Sequence, residues 1–111
     1  MSLLLIIPLF LSSTLVNGQE SQKFAVSFTG IGCPHCAKVS PQIHKRVEEG
    51  SLIVIEYEIY NNVSNSQALS TYSASFNLDL GIPQILFSKE IHEAGDTPII
   101  ENIDKPIKIM I

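Results

Sequence analysis

The chain has 111 residues, 45% of them hydrophobic and 16% charged, with a formal net charge of −4. That length holds one compact core and no second domain. A sparse, slightly acidic charge balance offers no positive surface on which a phosphate backbone could release counterions, so no nucleic-acid partner is expected.

Residues 1–18 are read apart from the rest. Leu3 to Leu11 is an apolar block broken only by Pro8, and small or short polar residues follow it. This is the pattern of a secretory signal, and Val16-Asn17-Gly18 places short residues where a signal peptidase would cut before Gln19. An uncleaved N-terminal anchor is the alternative, although a helix of about 16 residues is shorter than the ~30 Å hydrocarbon core of a bilayer. Either way residues 19–111 form the working domain and function outside the cytoplasm, as a periplasmic, secreted or outward-facing anchored protein. Cysteines can persist there as disulfides.

Within that domain, Lys23 to Phe28 alternates as a strand, with Phe24, Val26 and Phe28 on one face and Ala25 and Ser27 on the other. Thr29-Gly30-Ile31-Gly32 then supplies flexible backbone before Cys33-Pro34-His35-Cys36. Pro34 suits the first turn of a helix, where a missing N–H is harmless. Cys36, Val39, Ile43 and Val47 give that helix its apolar stripe, Pro41 should kink it, and Gly50 closes it.

Leu52 to Tyr60, rich in β-branched residues, is a second strand. Asn61 to Asn65 reads as a polar turn containing a glycosylation sequon at Asn62. From Ser66 a second helix presents Ala68, Leu69, Tyr72 and Phe76. Gly81-Ile82-Pro83 enters a short buried strand, Gln84 to Phe87, which Ile91 to Ala94 can pair with as a hairpin. Thr97-Pro98 marks an N-cap and first turn, and Ile99, Ile100, Ile103 and Ile107 continue a last helix interrupted by Pro106. The order predicts an α/β domain in which a central mixed sheet carries helices on both faces.

The two cysteines carry the chemistry. A bridge between Cys33 and Cys36 closes almost no loop, so it would add little stability, and a redox role explains the pair better. A thiolate, not a thiol, attacks a disulfide. Cys33, at the helix start, faces unpaired N–H groups and the positive end of the helix dipole, which favour the ionised nucleophile. Cys36, one turn on and less exposed, is placed to resolve the mixed disulfide. An imidazole at His35 near the Cys33 sulfur would stabilise the thiolate further and favour oxidising chemistry.

The run Phe28 to Pro41, with Cys-Pro-His-Cys and a proline five residues beyond, resembles the thioredoxin superfamily, and its Pro-His pair is similar to that of periplasmic DsbA-type oxidases. Gly81-Ile82-Pro83 before Gln84 to Phe87 resembles the same superfamily's cis-proline loop, so the likeness spans Lys23 to about Ile103. It implies a thioredoxin-like fold with a four-stranded sheet, a cis bond before Pro83, and substrate contacts at Ile82, Pro83 and Pro34. The activity it implies is thiol-disulfide exchange with protein or peptide thiols and disulfides. A membrane-bound redox partner is a further candidate, and no organic cofactor or metal is implied. Thioredoxin itself carries an Asp where this chain has Ser27 and a Trp where it has Gly32. The overall look is closer to small thioredoxin- or glutaredoxin-like domains of membrane-associated prokaryotic proteins.

Two rival readings use the same residues. The glycine-flanked cysteine pair also resembles heavy-metal-associated domains, whose paired thiolates bind Cu(I). Zinc would need His44 and His92 to complete a ligand set, but His44 lies about 12 Å along the helix from Cys36, too far to share one ion.

Overall fold

The computed structural model describes residues 22–109, so the signal or anchor reading of residues 1–18 lies outside the described residues. The elements run β1 (Lys23–Thr29), α1 (Pro34–Glu48), β2 (Leu52–Glu58), α2 (Val63–Phe76), β3 (Gln84–Leu86), β4 (His92–Ala94), α3 (Asp96–Asn102) and α4 (Asp104–Ile109). They build one four-stranded sheet in the order β2-β1-β3-β4, parallel between β1 and β2 and antiparallel elsewhere. Helices cover both faces. The chain is therefore an α/β domain with a central mixed four-stranded sheet, an architecture compatible with a thioredoxin-like fold.

Alternation along the strands divides the core in two. On one face Ala25, Leu52 and Ile85 pack against Val39 and Ile43 of α1, Ile99 of α3 and Ile103. On the other, Phe28 and Leu86 pack against Leu69 and its neighbours on α2, joined by Tyr57, Tyr72 and Phe76. Phe28 is fully buried, stacks on Tyr57 with ring centroids 5.2 Å apart and meets the edge of Tyr72 at 5.5 Å.

Several local expectations change. Phe24 shares a face with Phe28 but is 66% exposed, and Ile55, on the same face of edge strand β2, is 55% exposed. The α2 packing is centred on Phe28 and Tyr57, toward the other end of these strands. Val47 also leaves the apolar stripe, since the last turn of α1 runs beyond the core. The predicted turn at Asn61 to Asn65 is mostly helix: the Asn62 side chain accepts the Asn65 N–H at 3.1 Å and caps α2 from Val63.

The start of α3 shifts too. Gly95, at φ +94°, occupies the cap position that Thr97 was expected to fill, and the Asp96 carboxylate accepts the Thr97 N–H at 2.6 Å. The single last helix is two, because the chain turns at Ile103 and places Pro106 in the first turn of α4, where it lacks no bond. Arg46 of α1 ties α4 down, donating from both Nε and Nη2 to the Asp104 carboxylate at 2.7 and 3.0 Å. Helix α1 itself continues on both sides of Pro41.

Candidate functional site

Because β1 and β2 are parallel, their carboxyl ends lie at the same edge of the sheet, and the turn that leaves β1 carries the cysteines. Gly32, at φ +92°, reverses the chain with a backbone that only glycine adopts freely, and the Cys33 N–H closes the turn onto Gly30 O at 3.1 Å. Cys33 is then the N-cap of α1. Its sulfur accepts the Cys36 N–H at 3.2 Å, taking the place an Asp or Ser oxygen usually fills, with Pro34 in the first turn.

Both thiols are free and buried, Cys33 at 6% exposure and Cys36 at 2%. They line an open groove of about 550 Å³ that also meets Thr29, Ser40, Glu56 and Glu58. Burial above all, and then the neighbouring Cys33, push the Cys36 thiol up; hydrogen bonds with the Thr29 side chain and the Gly30 backbone pull it back. The inner sulfur is thus held as a thiol until something lowers that barrier. Cys33, with a backbone N–H already aimed at its sulfur, is set apart from it.

The loop leading into β3 is fixed from below. The buried Gln84 amide donates to the carbonyls of Asp79 and Gly81, both at 2.9 Å, and the Ser73 hydroxyl donates to Asp79 O at 3.1 Å. The Ile82–Pro83 bond is cis. Pro83 is buried and Ile82 half-buried. A Cβ placed on Gly30 would lie 2.8 Å from both Ile82 Cδ1 and the Tyr60 ring, so the loop meets the cysteine turn across a glycine that leaves no room for a side chain.

His35 does not turn toward the sulfurs. Its Nδ1 lies 2.8 Å from Asp96 Oδ2, the ring is 65% exposed, and among the described residues no hydrogen bond joins it to either cysteine. Lys38 Nζ approaches the same oxygen at 3.6 Å. Asp96 opens α3, and the preceding Gly95 N–H donates to Pro83 O at 2.9 Å, so one junction holds both the cysteine helix and the proline loop.

The hydrogen bond from His35 and the adjoining charges hold the Asp96 carboxyl down at about 2, against its ordinary 3.8. A carboxylate depressed on folding stabilises the native state above its ordinary range, and that contribution is lost as pH falls from about 4 toward 2. Asp96→Asn removes the titrating group. Its unfolding midpoint in urea should therefore fall less steeply than the wild type's across that window; parallel curves would deny the pair any role in stability.

Tyr60, Glu58, Thr29, Gln84 and Asp96 went unread as site residues in the sequence. Glu58, paired with Thr29 in the parallel register, accepts the N–H groups of Ile31, Tyr60 and Asn61 at 2.8, 3.1 and 2.9 Å, and these bonds lower its carboxyl. It fastens the cysteine turn to the end of β2. The usable signal was position: once two strands are parallel, residues just past the end of the second lie beside the loop that leaves the first. Of the predicted residues, Cys33, Pro34 and Cys36 share the groove, and Ile82 reaches its turn at Gly30. His44 instead lies 3.4 Å from Glu56, and His92 sits on β4. Among the described residues no three His, Cys, Asp or Glu side chains gather as a metal site. Among the same residues no helix is long and apolar enough to cross a membrane.

No protein-family model matches the chain. No curated protein matches it either. Among solved structures it is similar to a structural-genomics crystal structure of an Agrobacterium tumefaciens protein, at 19% identity and a TM-score of 0.66. The alignment covers 83% of this chain and 46% of that one, so the chain spans less than half the length of its structural neighbour. At that identity the likeness concerns the fold, and it supports the α/β architecture described above.

Proposed function

We propose that the chain is a thiol-disulfide oxidoreductase working through a mixed disulfide at Cys33. The observation that carries this reading is the cap itself: the Cys33 sulfur sits at the N-terminus of α1 and accepts a backbone N–H, with the Cys36 thiol buried one turn below. In the reducing direction the Cys33 thiolate attacks one sulfur of a partner disulfide. That S–S bond breaks, and the released sulfur leaves as a thiolate with the electron pair. Cys36, giving up its proton to solvent, then attacks the Cys33 sulfur and expels the second partner thiolate. The partner gains two electrons and the chain keeps a Cys33–Cys36 disulfide. The oxidising direction is the reverse sequence.

Protein or peptide thiols are the substrates this reading calls for, with Ile82, Pro83 and Pro34 beside them, in a compartment outside the cytoplasm where a membrane-bound partner could renew the pair. With His35 held on Asp96 and away from the sulfurs, the oxidising lean read from the Pro34-His35 pair loses its carrier, and the reduction potential decides the direction of electron flow. Equilibration with glutathione buffers tests the proposal. The pair should interconvert reversibly between dithiol and disulfide with a potential between about −270 and about −120 mV. A pair that forms no disulfide, yet takes up one Cu(I) tightly under reducing conditions, would instead be a metal carrier.

A further inference from the structure

We propose that Tyr60 is the side-chain hydrogen-bond donor to the Cys33 thiolate, holding the nucleophile in its ionised form; this deepens the exchange reading and rests on it. Tyr60 lies just past the end of β2, and three contacts hold it over the cysteine turn. Its own N–H and that of Ile31 are both gathered by Glu58 Oε2, at 3.1 and 2.8 Å. The Ile59 N–H donates to Thr29 O at 2.9 Å, so the end of β2 stays paired with the end of β1 one residue before Tyr60. The ring covers Gly30 so closely that a Cβ there would meet Cδ2 and Cε2 at 2.8 and 2.9 Å, and Gly30 O in turn accepts the Cys33 N–H.

The direction of the interaction follows from its electrostatics. Partial desolvation, the nearby charges of Cys33 and Cys36 and a hydrogen bond with Cys33 all raise the Tyr60 phenol above its ordinary value. A phenol displaced upward keeps its proton through neutral pH, so Tyr60 gives a hydrogen bond to the sulfur and takes no proton from it. The two sulfurs meet each other, and beyond that each has partners of its own. Cys33 receives the Cys36 N–H at 3.2 Å and, in this proposal, the Tyr60 hydroxyl, whereas Cys36 also has Thr29 and the Gly30 backbone. His35, turned to Asp96, has no part in these contacts.

Tyr60→Phe keeps the ring over Gly30 and removes only the hydroxyl. In a Cys36→Ser background, which retains the backbone N–H at that position, iodoacetamide alkylation of Cys33 should be about fivefold slower in the Phe variant below its pH midpoint. The whole pH profile should move to higher pH. With both cysteines present, the equilibrium against glutathione should move about fivefold toward the disulfide, some ~20 mV, because the reduced form loses its donor. A purely structural role for the ring would leave both readouts unchanged in Tyr60→Phe, and coincident profiles would overturn the assignment. If the wild-type pair fails to exchange disulfides at all, the proposed activity falls, while the alkylation profiles still decide the donor.

Discussion

Cys33→Ser should reduce disulfide exchange to background, a loss of roughly a thousandfold or more, because a serine hydroxyl does not ionise near neutral pH and cannot attack a disulfide as a thiolate does. Cys36→Ser should behave differently. With Cys33 intact at the cap of α1 and its sulfur still receiving a backbone N–H, the first attack proceeds and the second cannot. Covalent complexes with partner thiols should accumulate and disappear on reduction, visible on non-reducing gels. Cys33→Ser keeps an acceptor at the helix cap and should melt close to the wild type, whereas a hydroxyl at the buried Cys36 position should lower the melting temperature by a few degrees. The mechanism would be lost if Cys33→Ser kept its activity, or if Cys36→Ser trapped nothing while Cys33→Ser trapped partners through Cys36.

The second large effect concerns the fold that carries the site. Phe28→Ala deletes a fully buried ring that stacks on Tyr57 and meets Tyr72, one residue before the β1 end that leads to the cysteines. Large-to-small changes at such a position cost about 3–5 kcal/mol through lost burial and the cavity left behind. Small domains hold only about 5–15 kcal/mol in total. For a domain of this size about 1 kcal/mol lowers the melting temperature by roughly 4–8 °C, so a drop of about 15 °C or more is expected. Thermal unfolding followed by near-ultraviolet circular dichroism measures it directly, since Phe28, Tyr57 and Tyr72 share one cluster. A change under about 1 kcal/mol would mean that this aromatic cluster is not the core of the α2 face.

Local patterns in the sequence were enough for the parts of the fold that depend on neighbours along the chain. Period-two alternation marked β1 and β2, the spacing of Val39 and Ile43 marked α1, and Gly32 and Pro34 marked where that helix starts. Expectations failed where a neighbour in space decides the outcome. Phe24 has the same character as Phe28, yet one is exposed and the other buried, because α2 packs at one end of their shared face. Asn62 looks like a turn residue in isolation; its carboxamide becomes a helix cap once Val63 to Phe76 has a sheet to pack on.

The cysteine site divides in the same way. Composition and spacing alone were enough for an α/β domain, and placed Cys33 at a helix start with Cys36 one turn beyond. The tertiary structure alone decided what surrounds them. His35 is drawn to Asp96, 61 residues away, when the sequence pointed it at the sulfur. Glu58 and Tyr60 reach the cysteine turn because β1 and β2 run parallel. A helix start is written in consecutive residues, whereas hydrogen bonds and charges act through space, and which residues share that space is fixed only when the sheet has formed.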